Sequence, residues 1–278
     1  MMKIKDVVMM ELREKLNKLK EVLKNMERAA VAFSGGVDST FLLKVAHDVL
    51  GDDVIAITAR SLSFPLREYQ ETVKFTKEHG IKHITIISNE LEKEEVYNNT
   101  IDRCYYCKYE TFSKMFEVAK LENIKYLLEG SNIDDLSDYR PGLRAIEELK
   151  VLSPLKMAEL KKDDIRQLSK EMNLPTWNKP SYACLASRFP YGHKITAEKL
   201  KMVDEAEEYL LNLGFRQVRV RHHGDIARIE VSPNERLKFL NEEIMEDISD
   251  KFNKIGFSYT TLDLRGYRTG SMNETLDL

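Results

Sequence analysis

From Ala29 onward, short β-rich runs alternate with helical patterns: AAVAF, STFLLKVAHDVL, DVIAITA, a helix near LREYQETVKFTKEHG, then HITIIS. That alternation predicts an α/β fold in which a parallel sheet carries helices on both faces. YLLEGSN reads as a further strand, VLSPL as another, and KKDDIRQLSKEMN as a charged amphipathic helix ended by Leu174-Pro175. Ahead of the alternation, Leu12, Leu16, Leu19 and Leu23 recur at helical spacing, which predicts an amphipathic helix rather than a signal peptide. The first domain is expected to span residues 1–180. A cysteine-bearing loop at 181–195 follows, because the stretch from Trp177 to Lys194 holds two prolines and a glycine and shows no period. Residues 196–278 read as a smaller α+β domain. It is expected to contain a helix from about Thr196 to Leu213, strands QVRVRHH and IARIEV around a His223-Gly224-Asp225 turn, a second helix, and the strand FSYTTLDL. Ser232-Pro233-Asn234-Glu235 has the form of a capping box with proline at the first helical position, so it is expected to open that second helix.

A formal net charge of −3 on 278 residues gives no global attraction for a phosphate backbone, so nucleic acid is not expected as a partner. No stretch approaches the roughly 20 apolar residues that a membrane span needs, and a cytoplasmic protein is expected. Three cysteines, an odd number, argue against a disulfide framework and leave metal binding or catalysis as their alternatives.

The sharpest local signal is Val31-Ala32-Phe33-Ser34-Gly35-Gly36-Val37-Asp38-Ser39-Thr40, an apolar strand entering two glycines and then an amphipathic helix. Glycines let backbone approach a phosphate closely, and a helix start points N–H groups and positive dipole at the anion. Ser34 and Ser39 add hydroxyl donors, and Asp38 can hold a magnesium ion or orient the loop. The plainer alternative is a tight strand-to-helix turn with Asp or Ser as its cap. Arg60 and Ser61 close the strand DVIAITARS, while Gly130, Asn132 and Asp134 follow YLLE. Both sets are expected on the carboxyl edge of the sheet, where open α/β sheets bind ligands.

Cys104 and Cys107 form a CxxC pair in RCYYCK, and Cys184 lies in SYACLASR. Three thiolates leave one position open: a structural zinc would want a fourth ligand, whereas an iron–sulfur cluster with three cysteines keeps one iron free. An inert CxxC on a helix and a small buried hydrophobe at Cys184 are the bland readings. Lys179 and Arg188 flank Cys184, and cations there would favour its thiolate. In Gln217-Val218-Arg219-Val220-Arg221, alternation sends the valines to one face and both arginines to the other. Two guanidiniums about 7 Å apart suit a phosphate or two carboxylates. Glu230 is placed to orient one of them, and Arg265 and Arg268 could add to the pocket; a solvated strand face is the alternative. His222 and His223 point to opposite faces and read as structural, and Trp177 as a packing residue.

SGGVDS resembles the SGGxDS PP-loop shared by NAD synthetases, GMP synthetases and many tRNA-modifying thiolases, which cleave ATP between the α and β phosphates. The terminal Gly-Lys of a Walker loop is absent. This implies the ATP-pyrophosphatase (adenine nucleotide alpha hydrolase-like) fold, transfer of AMP to the substrate and release of pyrophosphate, with Ser34, Gly35, Gly36, Asp38, Ser39, Arg60, Gly130 and Asp134 at the ATP site and Mg²⁺ beside them. KPSYACLASRFPYG together with DLRGYRTGSMNE resembles, more specifically, the LarE family of ATP-dependent sulfur transferases, and the resemblance covers nearly the whole chain. It implies adenylation of a carboxylate of pyridinium-3,5-biscarboxylic acid mononucleotide, replacement of oxygen by sulfur, and a place in the synthesis of the nickel-pincer nucleotide cofactor.

The same resemblance implies catalytic roles for Cys184, Ser187 and Arg188, and substrate binding by Arg219, Arg221, Glu230 and Arg265. Members with one cysteine sacrifice the residue matching Cys184. Cys104 and Cys107 depart from that pattern and resemble the three-cysteine branch, which implies a [4Fe-4S] cluster on Cys104, Cys107 and Cys184. A homo-oligomer, a sulfide or cysteine-derived sulfur source, and upstream and downstream enzymes of the cofactor's synthesis are the implied partners. A cluster-dependent tRNA thiolase would want a basic RNA platform, and an ammonia-using synthetase would leave the cysteines idle. A non-catalytic nucleotide sensor would bind ATP without releasing pyrophosphate.

Overall fold

The computed structural model describes residues 4–137, 141–180, 183–268 and 271. Ser181 and Tyr182, and Thr269, Gly270 and Met272 to Glu274 of the C-terminal stretch, lie outside the described residues. The chain runs α1 (Ile4–Lys24), β1 (Ala29–Ala32), α2 (Val37–Leu50), β2 (Val54–Arg60), α3 (Leu66–Glu78), β3 (Lys82–Ile87), α4 (Glu94–Tyr97), α5 (Arg103–Leu121), β4 (Tyr126–Leu128), α6 (Pro141–Glu148), α7 (Pro154–Met157), α8 (Lys162–Glu171), α9 (Ala197–Asn212), β5 (Val218–His223), β6 (Ile226–Val231), α10 (Glu242–Ile255) and β7 (Tyr259–Leu262). It divides into two compact units: Met1–Ser61, Leu66–Glu90 and Cys104–Ser181 form the first, and Leu62–Pro65, Leu91–Arg103 and Tyr182–Leu278 the second.

The first unit is built on a parallel sheet of order β3-β2-β1-β4. Its central strands are apolar at consecutive positions because both faces are covered. Ala29, Val31, Val54 and Ala56 pack with Leu residues of α1 and α2, Phe75 of α3 and Ile165 of α8. Ala30, Ile55 and Ile57 turn to the opposite face, against Phe112, Met115 and Ala119 of α5 and Ile146 of α6. The predicted N-terminal helix is present as α1, and Leu12, Leu16, Leu19 and Leu23 are its buried stripe. From β1 the chain steps outward through β2 to β3, then returns to the far side of β1 as β4. The strand order therefore reverses between β1 and β4, which opens a ligand crevice at their carboxyl ends.

The expected strand VLSPL does not form. Leu152 makes a single bridge to Leu128, and the chain then enters α7 at Pro154. Proline has no N–H to extend a ladder, and its fixed φ suits the first turn of a helix.

The second unit carries a sheet of order β5-β6-β7, with β5 and β6 antiparallel and β6 and β7 parallel. Gly224, at φ +67°, turns the hairpin. Val218, Val220, Ile229 and Val231 form one apolar layer with Leu210 of α9 and Phe252 of α10. A second cluster joins Leu185, Ala186, Phe189 and Ile195 to Leu200 and Val203 of α9. Thr196 caps α9 by accepting the Lys199 N–H at 3.3 Å.

The expected capping box at Ser232 is absent. Pro233–Leu240 is a 3₁₀ segment without a side-chain cap. Glu235 instead accepts the Arg216 N–H at 3.0 Å, and Ser232 Oγ donates to Glu235 at 2.6 Å. A tertiary demand for that carboxylate outcompeted the local motif, and the true helix α10 begins later under Asn241, which accepts from the Ile244 N–H at 3.2 Å. Among the described residues, no helix is long and apolar enough to cross a membrane.

Leu19 is fully buried in the larger core. Leu19→Ala should lower unfolding free energy by about 3 kcal/mol, as expected for a poorly collapsing core site. Urea denaturation followed by circular dichroism measures it.

Candidate active site

β1 ends at the crevice, and the turn beyond it is shaped by glycine. Gly35 has φ +69°, and a Cβ there would meet Thr72 Cγ2 at 3.0 Å. Gly36 is the extended N-cap of α2 and, among the described residues, no side chain caps the helix start, so its first N–H groups are left for a ligand. The Ser34 and Ser39 hydroxyls meet at 3.1 Å across the turn. Gly130, just beyond β4, lies against this start: a Cβ there would sit 3.1 Å from the Ser39 nitrogen and 3.3 Å from Asp38 Cβ. Both strands flanking the switch point thus contribute a glycine, and the two backbones approach closely.

Asp38 leaves the second position of α2. Asn132 Nδ2 donates to its Oδ1 at 3.3 Å, and the Lys162 ammonium donates to its Oδ2. Asp134, exposed in the turn after β4, accepts the Lys162 N–H at 2.8 Å. Lys179 donates to the Gly35 carbonyl at 3.1 Å and pairs with Glu68 at 2.7 Å and Glu71 at 2.5 Å. Burial alone would lower the Lys179 pKa, but the two carboxylates outweigh it and raise it, so the residue is a fixed cation behind the loop. Arg60 stands at the carboxyl end of β2, exposed, with its guanidinium 5.4 Å from the Tyr69 ring centroid.

Sequence reasoning missed Lys162. The available signal was Lys161-Lys162 at the start of α8, where a cation opposes the helix dipole and so needs a reason.

On α5, Cys104 and Cys107 are one turn apart on one face and half-buried. Tyr105 anchors this turn by donating to Glu148 at 2.7 Å, while the Arg144 guanidinium lies 3.8 Å from its ring centroid.

In the second unit Cys184 is exposed and opens the 3₁₀ turn Leu185–Arg188. Ser187 Oγ donates to the Cys184 carbonyl at 2.9 Å. Arg188 is fully buried and makes two 2.8 Å hydrogen bonds to Glu207. Its remaining amine donates to the carbonyls of Ala183 at 2.8 Å and Cys184 at 3.1 Å and to Ser187 Oγ at 2.9 Å. Burial by itself would raise Glu207, but Arg188 outweighs it and the pKa falls. Arg188 therefore grips the backbone on both sides of Cys184.

Arg219 and Arg221 do not face solvent: α9 packs on the valine face of β5, and on the other face Tyr267, Ser271 and the Ser187 carbonyl meet the two guanidiniums. Arg221 bonds Glu230 at 2.7 Å, Ser271 at 2.9 Å and the Ser187 carbonyl at 3.0 Å, and its buried Nε has no partner among the described residues. Arg219 donates to the Val218 carbonyl at 2.7 Å and lies 5.1 Å from the Tyr267 ring centroid. Burial first, then the neighbouring Arg188, pushes Arg219 down to about 10. Arg265 is exposed, with its N–H on Asp263 at 2.8 Å. Gly266, at φ +73°, is required beside it, since a Cβ would lie 2.6 Å from the Val231 carbonyl. His222 is packed between Phe189 and Phe257, with centroids at 5.1 Å and 5.4 Å. Among the described residues, no group of three or more His, Cys, Asp or Glu side chains is placed to hold a metal ion.

No protein-family model matches the chain. It is 41% identical to the pyridinium-3,5-bisthiocarboxylic acid mononucleotide synthase of Lactiplantibacillus plantarum, over 91% of this chain and 92% of that protein. The chain belongs to the LarE family. An uncharacterized Synechocystis protein is 42% identical over 95% of this chain and 99% of its own length. More distantly, the glutamine-hydrolyzing GMP synthase of Bartonella quintana is 27% identical over 66% of this chain and 39% of its own length. The parallel sheet and glycine turn are the PP-loop fold of an ATP-using enzyme, as such relatives require.

Gly130→Ala should push the start of α2 away from β4 and raise the dissociation constant for ATP at least tenfold, with the fold intact; calorimetric titration reads it. A second expectation concerns acid. Burial first, then Lys199, pushes His222 down to about 4, against about 6.5 in the unfolded chain. Between those values the unfolded chain binds more protons, so stability falls as pH drops from about 6.5 to about 4. His222→Leu should flatten that slope in urea titrations at stepped pH.

Proposed function

We propose that this chain is an ATP-dependent sulfur transferase that adenylates a carboxylate of pyridinium-3,5-biscarboxylic acid mononucleotide and replaces its oxygen with sulfur. The observation that carries the reading is the 41% identity with the named synthase over 91% of this chain, which spans both the phosphate loop and the cysteine turn. The bare helix start at Gly36, with Ser34 and Ser39, receives the phosphates of ATP. Asp38 offers the hard oxygen donor that a magnesium ion takes, and that ion would offset charge on the departing pyrophosphate. Attack by the substrate carboxylate at the α phosphorus forms an acyl adenylate and releases pyrophosphate. A sulfur nucleophile then adds to the acyl carbon, AMP leaves with the carboxylate oxygen, and a thiocarboxylate remains.

Cys184 is exposed on a turn that Arg188 holds by two carbonyls, so Arg188 acts as a positioning residue and Ser187 stiffens the same turn. Arg219, Arg221, Glu230 and Arg265 are assigned to the substrate. Arg221, with a buried N–H lacking a partner among the described residues, and the exposed Arg265 offer donors for its phosphate. Cys104 and Cys107, soft donors on one helix face, fit two ligands of a [4Fe-4S] cluster, with Cys184 as the third. Such a cluster would supply a sulfide, renewed from free sulfide or a cysteine-derived source, so that Cys184 need not be sacrificed. A homo-oligomer in the cytoplasm, acting between the enzymes that make and consume the nucleotide, completes the proposal; three cysteines, an odd number, do not make the disulfide framework of an oxidising compartment.

Protein purified without oxygen, incubated with ATP and the biscarboxylate nucleotide, should release pyrophosphate and AMP and form thiocarboxylate. It should be brown, with a broad band near roughly 400 nm and about four irons per chain, both lost in Cys104→Ala. Iron-free protein that still forms product once, with loss of one H₂S from Cys184 by mass spectrometry, would replace the cluster with a sacrificial cysteine. Absence of pyrophosphate release with this substrate would overturn the function.

A further inference from the structure

Lys162 stands where electrostatics least favours a cation. It is the first residue of α8, whose N–H groups carry positive dipole, and it reaches the start of α2, which carries the same sign. Two carboxylates make the position tenable: Asp38 accepts its ammonium and Asp134 accepts its N–H at 2.8 Å. Both oxygens of Asp38 are then engaged, Oδ1 by Asn132 and Oδ2 by Lys162. A divalent ion cannot take Asp38 without displacing the ammonium, because two cations on one carboxylate repel each other. The Lys162 side chain keeps 32% of its exposure and its stem has four methylenes, so it has room to move.

We propose that Lys162 is an exchangeable counter-ion of the phosphate loop: it neutralises Asp38 while the site holds no nucleotide, and transfers to phosphate oxygens when the metal–nucleotide arrives and the divalent ion takes Asp38. This rests on the phosphate-loop reading above and adds to it a positioning residue and an order of binding. Free divalent ion is kept off Asp38, whereas ion delivered with a triphosphate is accepted, since the same polyanion that brings the ion gives the ammonium a new partner. Lys162 stays protonated throughout, and no covalent bond changes. After adenylation the ammonium stays with pyrophosphate, and it returns to Asp38 when pyrophosphate and its metal depart.

The test uses the full-length protein, Mn²⁺ alone followed by electron paramagnetic resonance, and inorganic pyrophosphate with Mg²⁺ followed by calorimetry. Lys162→Met should bind Mn²⁺ without nucleotide at least tenfold tighter than the parent and magnesium pyrophosphate at least tenfold weaker. Asp38→Asn in the Lys162→Met background should abolish the Mn²⁺ gain. Lys162→Arg, which keeps the charge, should retain the parent's weak Mn²⁺ binding. An unchanged thermal midpoint in Lys162→Arg keeps the comparison valid should Lys162→Met fold poorly, and tight Mn²⁺ binding by Lys162→Arg would overturn the proposal. So would Lys162→Met that differs from the parent less than twofold in either measurement, which would leave Lys162 a structural ion pair. A parent protein that binds neither ATP nor pyrophosphate would instead sink the phosphate-loop reading itself.

Discussion

Arg188 is a guanidinium with no exposure to solvent, and the order of the cysteine turn depends on how that charge is satisfied. Two hydrogen bonds to Glu207 neutralise it, and the donors left over meet the Ala183 and Cys184 carbonyls and Ser187 Oγ. A buried ion pair adds little net stability over an apolar pair, yet removing one partner costs about 3 to 5 kcal/mol. Its value here is geometric: the carbonyls of Ala183 and Cys184 are held from inside the unit although Cys184 itself is exposed. Glu207 also accepts the Val220 N–H at 2.9 Å, which ties the same charge pair to β5.

Pairing of charge across the fold recurs in the first unit. Lys179 answers Glu68 and Glu71 behind Gly35, and Lys162 answers Asp38 in front of α2. Between these two cations lies a backbone turn that glycine alone can make at φ +69°. Its position on the sheet follows from strand order: β1 is central, the chain departs to one side and returns on the other, and the crevice so opened brings Gly130 to the start of α2. The anion site is thus a product of topology as much as of the SGGVDS run.

Much of this was legible in the residues. The alternation of apolar runs and helical periods specified β1, β2, β3 and β4 and their helices, because consecutive apolar residues suit a strand buried on both faces. The leucine stripe specified α1. Where the reading failed, a distant partner or a stiff residue had prevailed over a local pattern: Pro154 turned VLSPL into a helix start, and Glu235 left its capping box for the N–H groups before β5. Alternation in β5 correctly separated valines from arginines, but an alternating strand does not reveal whether its polar face meets water. Arg219 and Arg221 are buried because Tyr267, Ser271 and the Ser187 turn lie against them.

Residue order alone determined the α/β class, the glycine turn and the presence of a CxxC pair with a third cysteine, since each follows from spacing within one element or one turn. Tertiary structure decided which charges are paired. The partners of Lys162, Lys179, Arg188 and Arg221 lie far away along the chain or on a neighbouring element, and a pairing made by folding leaves no period to read. Of these, Lys162 and Asp38 are separated by 124 positions, and only the return of the chain to the far side of β1 makes them neighbours.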